Sequence, residues 1–272
     1  EIQDMINLDG GVVIVTGSAS GSGAATARML AERGSRVVVN YSRSAEKAES
    51  VAQACEASGA EVILQQADVS KDEDCRTLAQ VAIDRWGHID GLVNNAGTTQ
   101  FCPHHDLEGL SALDFQEIYA VNTIGAFQMI RAVAPHMEAA GKGAVVNVSS
   151  VAGVYSIGSS LAYIGSKGAL NAITIAMARA LGPAIKINAV CPGYIESGWH
   201  RKAIGEEATD RMVAHIKAST PLQAVNTPED IASTVVWLLE GAPNITGELF
   251  TIDAGMGLLR GGIPARGRSA ER

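Results

Sequence analysis

Tyr163-Ile164-Gly165-Ser166-Lys167 places a phenol and an ammonium at i and i+4. On a helix the two side chains share one face. A free tyrosine titrates at about pH 10, far from neutrality, and a nearby cation favours the phenolate and lowers that value. The pair therefore reads as a candidate general acid/base. Ser150 lies upstream, where its hydroxyl could donate to a substrate oxygen while Tyr163 gives or takes the proton. Asn122 falls inside a long helical pattern, where asparagine is mildly unfavourable, so a hydrogen-bonding role is expected of it.

A second cluster is rich in glycine. Thr16-Gly17-Ser18-Ala19-Ser20-Gly21-Ser22-Gly23 follows an apolar run and precedes a helical pattern of small residues. In that context Gly17 permits a tight turn, while Gly21 and Gly23 let backbone N–H groups and a helix N-terminus approach a pyrophosphate. This reads as a dinucleotide site. The second strand ends in Asn40-Tyr41-Ser42-Arg43-Ser44, with no acid before Glu46. A carboxylate there would accept from a free ribose 2′-hydroxyl and repel a 2′-phosphate. Arg43 can pair with a phosphate and Ser42 can donate to it. The expectation is NADP(H), with NAD(H) possible; the plainer alternative makes Arg43 a solvated loop residue.

Other strand ends supply further candidates. Asp68-Val69 offers an acceptor for the adenine amino group. Asn94-Asn95-Ala96-Gly97 has small residues that would let backbone lie against the adenosine ribose. Cys191-Pro192-Gly193-Tyr194 could wall a nicotinamide pocket. Each also fits an ordinary strand-end turn.

These residues need a frame. Apolar runs predict strands at 11–16, 36–41, 61–67, 90–94, 143–149, 185–191 and 248–252. Helical patterns fill 22–33, 45–58, 71–86, 111–140, 162–181, 206–218 and 228–240, and Gly34, Gly59 and Gly87 act as stop signals. Alternation of this kind implies right-handed crossovers and an α/β fold: a doubly wound parallel sheet with helices on both faces. Ligands bind along the carboxyl edge of such a sheet, the edge on which the candidates fall. A single domain over 1–272 is expected, with an insertion at about 194–221 and a tail at 260–272. The tail fits either a solvated terminus or a contact with a neighbouring subunit.

Composition agrees. The 272 residues carry 21 Lys and Arg against 29 Asp and Glu, a net charge of −8, which argues against a nucleic-acid partner. Apolar residues make up 47%, too many for a disordered chain, yet no apolar run is long enough to cross a membrane. The four scattered cysteines suggest reduced thiols in a cytoplasmic protein, with neither zinc site nor disulfide framework. Sequons at Asn147 and Asn244 read as chance matches. Cys102-Pro103-His104-His105 reads as a loop, not a metal site. Trp199 and His200 fall in the insertion, where substrate contact and simple exposure fit equally.

The TGxxxGxG turn, Asn94-Asn95-Ala96-Gly97, Asn122, Ser150, YxxxK and Pro192-Gly193 occur in the order of the short-chain dehydrogenase/reductase family. The chain resembles that family from about Leu8 to Gly257, and within it the 3-oxoacyl-carrier-protein reductases and glucose dehydrogenases most. The resemblance implies a single-domain Rossmann-like α/β fold with a seven-stranded parallel sheet, and hydride transfer between nicotinamide and a ketone or secondary alcohol. It implies that Tyr163 is the acid/base, that Lys167 lowers its pKa and binds the nicotinamide ribose, and that Ser150 stabilises the substrate oxygen. Asn122 would hold a water relaying protons to Lys167. Pro192, Gly193 and Ile195 would line the carboxamide, and the long helices would build a homotetramer. There are departures. Ser22 replaces the family's large aliphatic, Ser20 stands where many NADPH-dependent members carry a base, and Ser197 takes the place of a common threonine. A different class, a sensor or scaffold that binds NADP(H) without turnover, would have no use for Ser150, Tyr163 and Lys167 together.

Overall fold

In the computed structural model, which describes residues 6–196 and 198–261, seven parallel strands form one sheet. The elements run β1 (Val12–Val15), α1 (Gly21–Glu32), β2 (Arg36–Tyr41), α2 (Ala45–Ala57), β3 (Val62–Gln66), α3 (Asp72–Trp86) and β4 (Gly91–Asn94). Then come α4 (Ala112–Tyr119), a π-helical turn (Ala120–Gly125), α5 (Ala126–Ala140), β5 (Gly143–Val148), α6 (Ala152–Tyr155), α7 (Leu161–Leu181) and β6 (Ile185–Pro192). The chain continues with α8 (Gly198–Ile204), α9 (Glu206–Ser219), α10 (Pro228–Glu240), β7 (Leu249–Ile252) and a 3-10 turn (Met256–Gly261).

Strand order is β3-β2-β1-β4-β5-β6-β7. The direction of winding reverses between β1 and β4, the switch point at which such sheets open a crevice. β1 pairs with both neighbours, Val13 standing beside Val37 and Gly91.

Alternation along the strands divides the core in two. Val13, Val15, Val37 and Val39 turn to one face, where Leu30 of α1, Val51 of α2 and Ile231 of α10 cover them. Val12, Ile14, Val38 and Leu92 turn to the other, under Leu78 of α3 and Met129, Ile130 and Val133 of α5. Small helix residues such as Ala24, Ala27 and Ala79 let these layers approach closely. Such strands read as continuous apolar runs because both faces are buried.

The long helical pattern at 111–140 is interrupted. It starts at a capping box, with Ser111 Oγ accepting from Asp114 N and the Asp114 carboxylate accepting from Ser111 N. It then widens into the π turn at Ala120–Gly125 before resuming as α5. The insertion at 194–221 is largely helical, as α8 and α9; of these only α9 is expected from the sequence. Of the tail at 260–272, the part from 262 onward lies outside the described residues.

Candidate active site

Three residues meet beyond the end of β5. Ser160 caps α7 and accepts a hydrogen bond from Tyr163 N at 3.2 Å, which sets Tyr163 in the first turn of that helix. One turn on, Lys167 is 4% exposed and donates from Nζ to the Val148 carbonyl at 2.8 Å. Its ammonium stands 5.8 Å from the centre of the Tyr163 ring. Ser150 lies just past β5; its hydroxyl stands near enough to the Tyr163 phenol to pull its pKa down, accepts from Ala152 N at 3.1 Å and reaches the Pro192 carbonyl at 3.5 Å.

The electrostatics depart from expectation. Burial pushes the Tyr163 phenol up to about 12, with the Ser150 hydroxyl pulling the other way. Burial also lowers Lys167 to about 8. In the protein alone, loss of water around the phenol outweighs the pull of the Ser150 hydroxyl, so Tyr163 keeps its proton at neutrality.

Asn122 completes the group from the π turn. Oδ1 accepts from Thr98 N at 2.8 Å, and Nδ2 donates to the Thr98 carbonyl at 2.9 Å and to Ser166 Oγ at 3.0 Å. Both amide hydrogens are thus in use, and a water could bond only to Oδ1 or to the main-chain carbonyl. Gly97 lies between this residue and the lysine: a β-carbon there would sit 3.6 Å from Asn122 Oδ1 and 3.8 Å from Lys167 Nζ. Below them Asn94 Nδ2 donates to Asn147 Oδ1, and Asn147 Nδ2 to Thr174 Oγ1, both at 2.9 Å. This chain of bonds joins β4, β5 and α7, and Asn147, the asparagine of the first sequon, is completely buried.

The glycine-rich turn is tightly specified. Gly17 has φ +60°, and a β-carbon on it would lie 2.8 Å from Ala96 Cα. Gly21 has φ +56° and open space beside it. A β-carbon on Gly23 would collide with Asn95 Nδ2. Ser22, in place of an aliphatic, donates to Asn95 Oδ1 at 2.8 Å, while Asn95 Nδ2 donates to the carbonyls of Thr16 and Gly17, both at 3.0 Å. A polar clamp thus replaces apolar packing. Ser20 begins α1 with its hydroxyl exposed and making no capping bond.

The remaining candidates divide. Asp68 accepts from Ser70 N and Oγ; partial burial pushes its carboxyl up, but these bonds, with Lys71 and Arg43 nearby, bring it below its ordinary range. Arg43 and Ser42 are exposed and Tyr41 is partly so, around the same strand ends. Val69 points inward: it is 5% exposed, packs on Gly125, and its carbonyl accepts from Gln128 Nε2 at 2.8 Å. Pro192 and Gly193 sit at the β6 exit, Gly193 N donating to the Ile252 carbonyl at 2.8 Å. Ile195 bridges to Asn226 and packs against the core. Ser197 lies outside the described residues. His104 Nε2 bonds the Gly158 carbonyl at 2.8 Å. Among the described residues no cluster of His, Cys, Asp and Glu could hold a metal ion, and no helix is long and apolar enough to cross a membrane.

Two residues escaped the sequence reading. Asn40 accepts from Gly17 N at 3.0 Å and donates to the carbonyls of Gln65 and Ala67 at 3.2 and 3.1 Å, pinning the turn to β2 and β3. Thr16 Oγ1 accepts from Asn95 N and Ala96 N, both at 3.0 Å. A polar residue inside an apolar strand was the signal that could have found Asn40.

The family described as Enoyl-(Acyl carrier protein) reductase matches residues 17–257. A candidate ketoacyl reductase of the granaticin polyketide synthase from Streptomyces violaceoruber is 40% identical over 91% of this chain and 96% of its own. A 3-oxoacyl-acyl-carrier-protein reductase from Staphylococcus epidermidis is 33% identical over 89% and 97%. A crystal structure from Burkholderia xenovorans, described as a candidate short-chain dehydrogenase/reductase, superposes with TM-score 0.85 at 37% identity, covering 91% of this chain and 98% of that one.

Proposed function

The chain belongs to the short-chain dehydrogenase/reductase family, and from that membership we propose that it interconverts a ketone and its secondary alcohol with NADP(H). The observation that carries this reading is the meeting of Ser150, Tyr163 and Lys167 beyond β5. NADP(H) supplies the hydride when bound. Ser150 donates to the substrate oxygen, and Tyr163 gives that oxygen its proton in reduction or takes it back in oxidation. Lys167, held by the Val148 carbonyl, sets a positive charge beside the phenol and binds the nicotinamide ribose. Asn122 holds a water through Oδ1 or its carbonyl. Because burial keeps Tyr163 protonated, the free protein is poised as an acid, the state that ketone reduction needs.

The residues present fit a dinucleotide. Gly97 keeps open the space beside Asn122 and Lys167, and Gly21 leaves the start of α1 uncovered. Asn95, Ala96, Gly17, Ser20, Ser22 and Gly23 line that first turn, Asp68 and the Val69 backbone take the adenine side, and Pro192, Gly193 and Ile195 the nicotinamide side. With no acid at the end of β2, exposed Arg43 takes the 2′-phosphate, with Ser42 and Tyr41 beside it. The chain acts as one domain, with residues 194–221 over the substrate. Exposed Leu113, Phe115, Ile124 and Phe127 on the α4–α5 helix and Leu161 and Ile175 on α7 support assembly as a homotetramer. A reducing, cytoplasmic setting fits the four free, buried cysteines.

The experiment is Tyr163→Phe, assayed by NADPH absorbance on a panel of ketones. Turnover should fall by about 100- to 10,000-fold, with NADPH affinity retained within about threefold. Near-normal turnover would sink the assignment. Tight NADPH binding by the wild-type protein with no reduction of any ketone would favour a sensor.

A further inference from the structure

Among the described residues, Tyr194 Oη and His200 Nδ1 are buried without a hydrogen-bond partner. They belong to neighbouring rings. The Tyr194 and His200 centroids are 4.9 Å apart at 51°, and Phe101 meets His200 edge-on at 5.6 Å and 79°. Phe101 lies on the segment leaving β4, Tyr194 on the segment leaving β6, and His200 on α8. Because β5 lies between β4 and β6, the three rings span the carboxyl edge on both sides of the strand that delivers Ser150.

The backbone beneath the rings is fixed. The Tyr194 carbonyl accepts from Asn226 N and Nδ2 at 3.2 and 3.1 Å, and Cys102 N, next to Phe101, donates to the Ser159 carbonyl at 2.9 Å. A buried polar group left without a partner has lost its hydrogen bonds to water and gained none in return. Two of them on touching rings beside a reaction centre imply a missing partner common to both. Burial raises the Tyr194 phenol and lowers the His200 imidazole, so both are neutral at neutral pH. A phenol O–H donates; a neutral imidazole protonated on Nε2 accepts at Nδ1. One hydroxyl, which accepts once and donates once, satisfies the pair.

We propose that Tyr194 and His200 read a hydroxyl on the substrate, remote from the carbonyl that is reduced and carried on a flat ring system that lies along the aromatic wall with Phe101. The inference rests on the ketone reductase reading and names its substrate class, a hydroxylated cyclic ketone. A site built to bond a hydroxyl rejects the analogue lacking it more strongly than an apolar pocket rejects a missing methylene.

The test uses the full chain with NADPH, with 1-tetralone and its monohydroxy isomers as probes. At least one isomer should exceed 1-tetralone in kcat/KM by about 10- to 100-fold. In Tyr194→Phe, and separately in His200→Phe, that ratio should collapse toward unity. No preference in the wild type, or variants that lose equally on both ketones and keep the ratio, overturns the proposal and leaves ketone reduction standing. If no ketone is reduced, the reductase reading fails, and calorimetric binding of 1-naphthol against 1-methoxynaphthalene decides the hydroxyl site. The naphthol should bind more tightly, and Tyr194→Phe should erase the difference; equal binding overturns it.

Discussion

The Lys167 ammonium donates to the Val148 carbonyl at 2.8 Å, tying the first turns of α7 to the last residue of β5. The lysine is therefore in place before any ligand arrives, and the same burial that fixes it weakens its hold on a proton.

Burial lowers Lys167 to about 8 from a free value of 10.5. Between those values the unfolded chain binds more protons, so this group's contribution to stability rises with pH across that window. Activity runs the other way. Reduction should slow as pH passes about 8 and the charge beside Tyr163 is lost. Lys167→Arg stays charged at any working pH, and the alkaline limb of its pH–rate profile should move upward even if its peak rate is lower. A limb that stays in place would assign it to another group.

Arg43 is exposed beside Asp68, so its contribution to a phosphate is modest. Arg43→Ala should raise the KM for NADPH by about 3- to 10-fold, the scale of one exposed charge pair, and leave the KM for NADH alone. Equal effects on both cofactors would make Arg43 an ordinary surface residue.

Asn40→Ala should do more than a surface change. It strips Gly17 N of its acceptor and the carbonyls of Gln65 and Ala67 of a donor. The expected loss is about 1–3 kcal/mol, read as a Tm lower by about 2–4 °C for each kcal/mol. Dinucleotide affinity should fall with it, since the turn is no longer pinned to β2. An unchanged Tm would mean that water replaces the side chain.

Gly17 and Gly21 separate strain from access. Both are left-handed, at φ +60° and +56°, but only a β-carbon on Gly17 meets backbone, at Ala96 Cα. Gly17→Ala should lower Tm clearly. Gly21→Ala should carry the conformational cost of about 1–2 kcal/mol alone and weaken NADPH binding by about tenfold or more, measured by calorimetry. The reverse ranking in Tm would contradict the packing described.

Much of the fold was legible in the residues because the physics was local. A strand buried on both faces is an apolar run, so β1 and β5 could be read directly, and Pro228 at the start of α10 and Gly87 at the end of α3 mark their helices in sequence. The meeting of Ser150, Tyr163 and Lys167 came from their place at one sheet edge. The hidden part depends on three-dimensional surroundings. The phenol value at Tyr163 is set by how much water the fold removes, which no spacing reveals. Asn40 and Thr16 bond to residues distant in sequence, and Val69 faces inward because Gly125 leaves it room. The short helix at Gly198–Ile204 has no apolar period to announce it, and none of its described residues is fully buried.

The π turn at Ala120–Gly125 holds one residue more than the α-helix it interrupts. Removing a residue there would let α4 and α5 fuse into an ordinary helix, but α4 would swing by about 100° relative to α5. Asn122 could then no longer meet both Thr98 and Ser166. The extra residue is what turns Asn122 toward both partners at once. A variant selected for heat resistance alone would gain by losing it, ending with a sturdier helix and no bridge from Asn122 to Ser166.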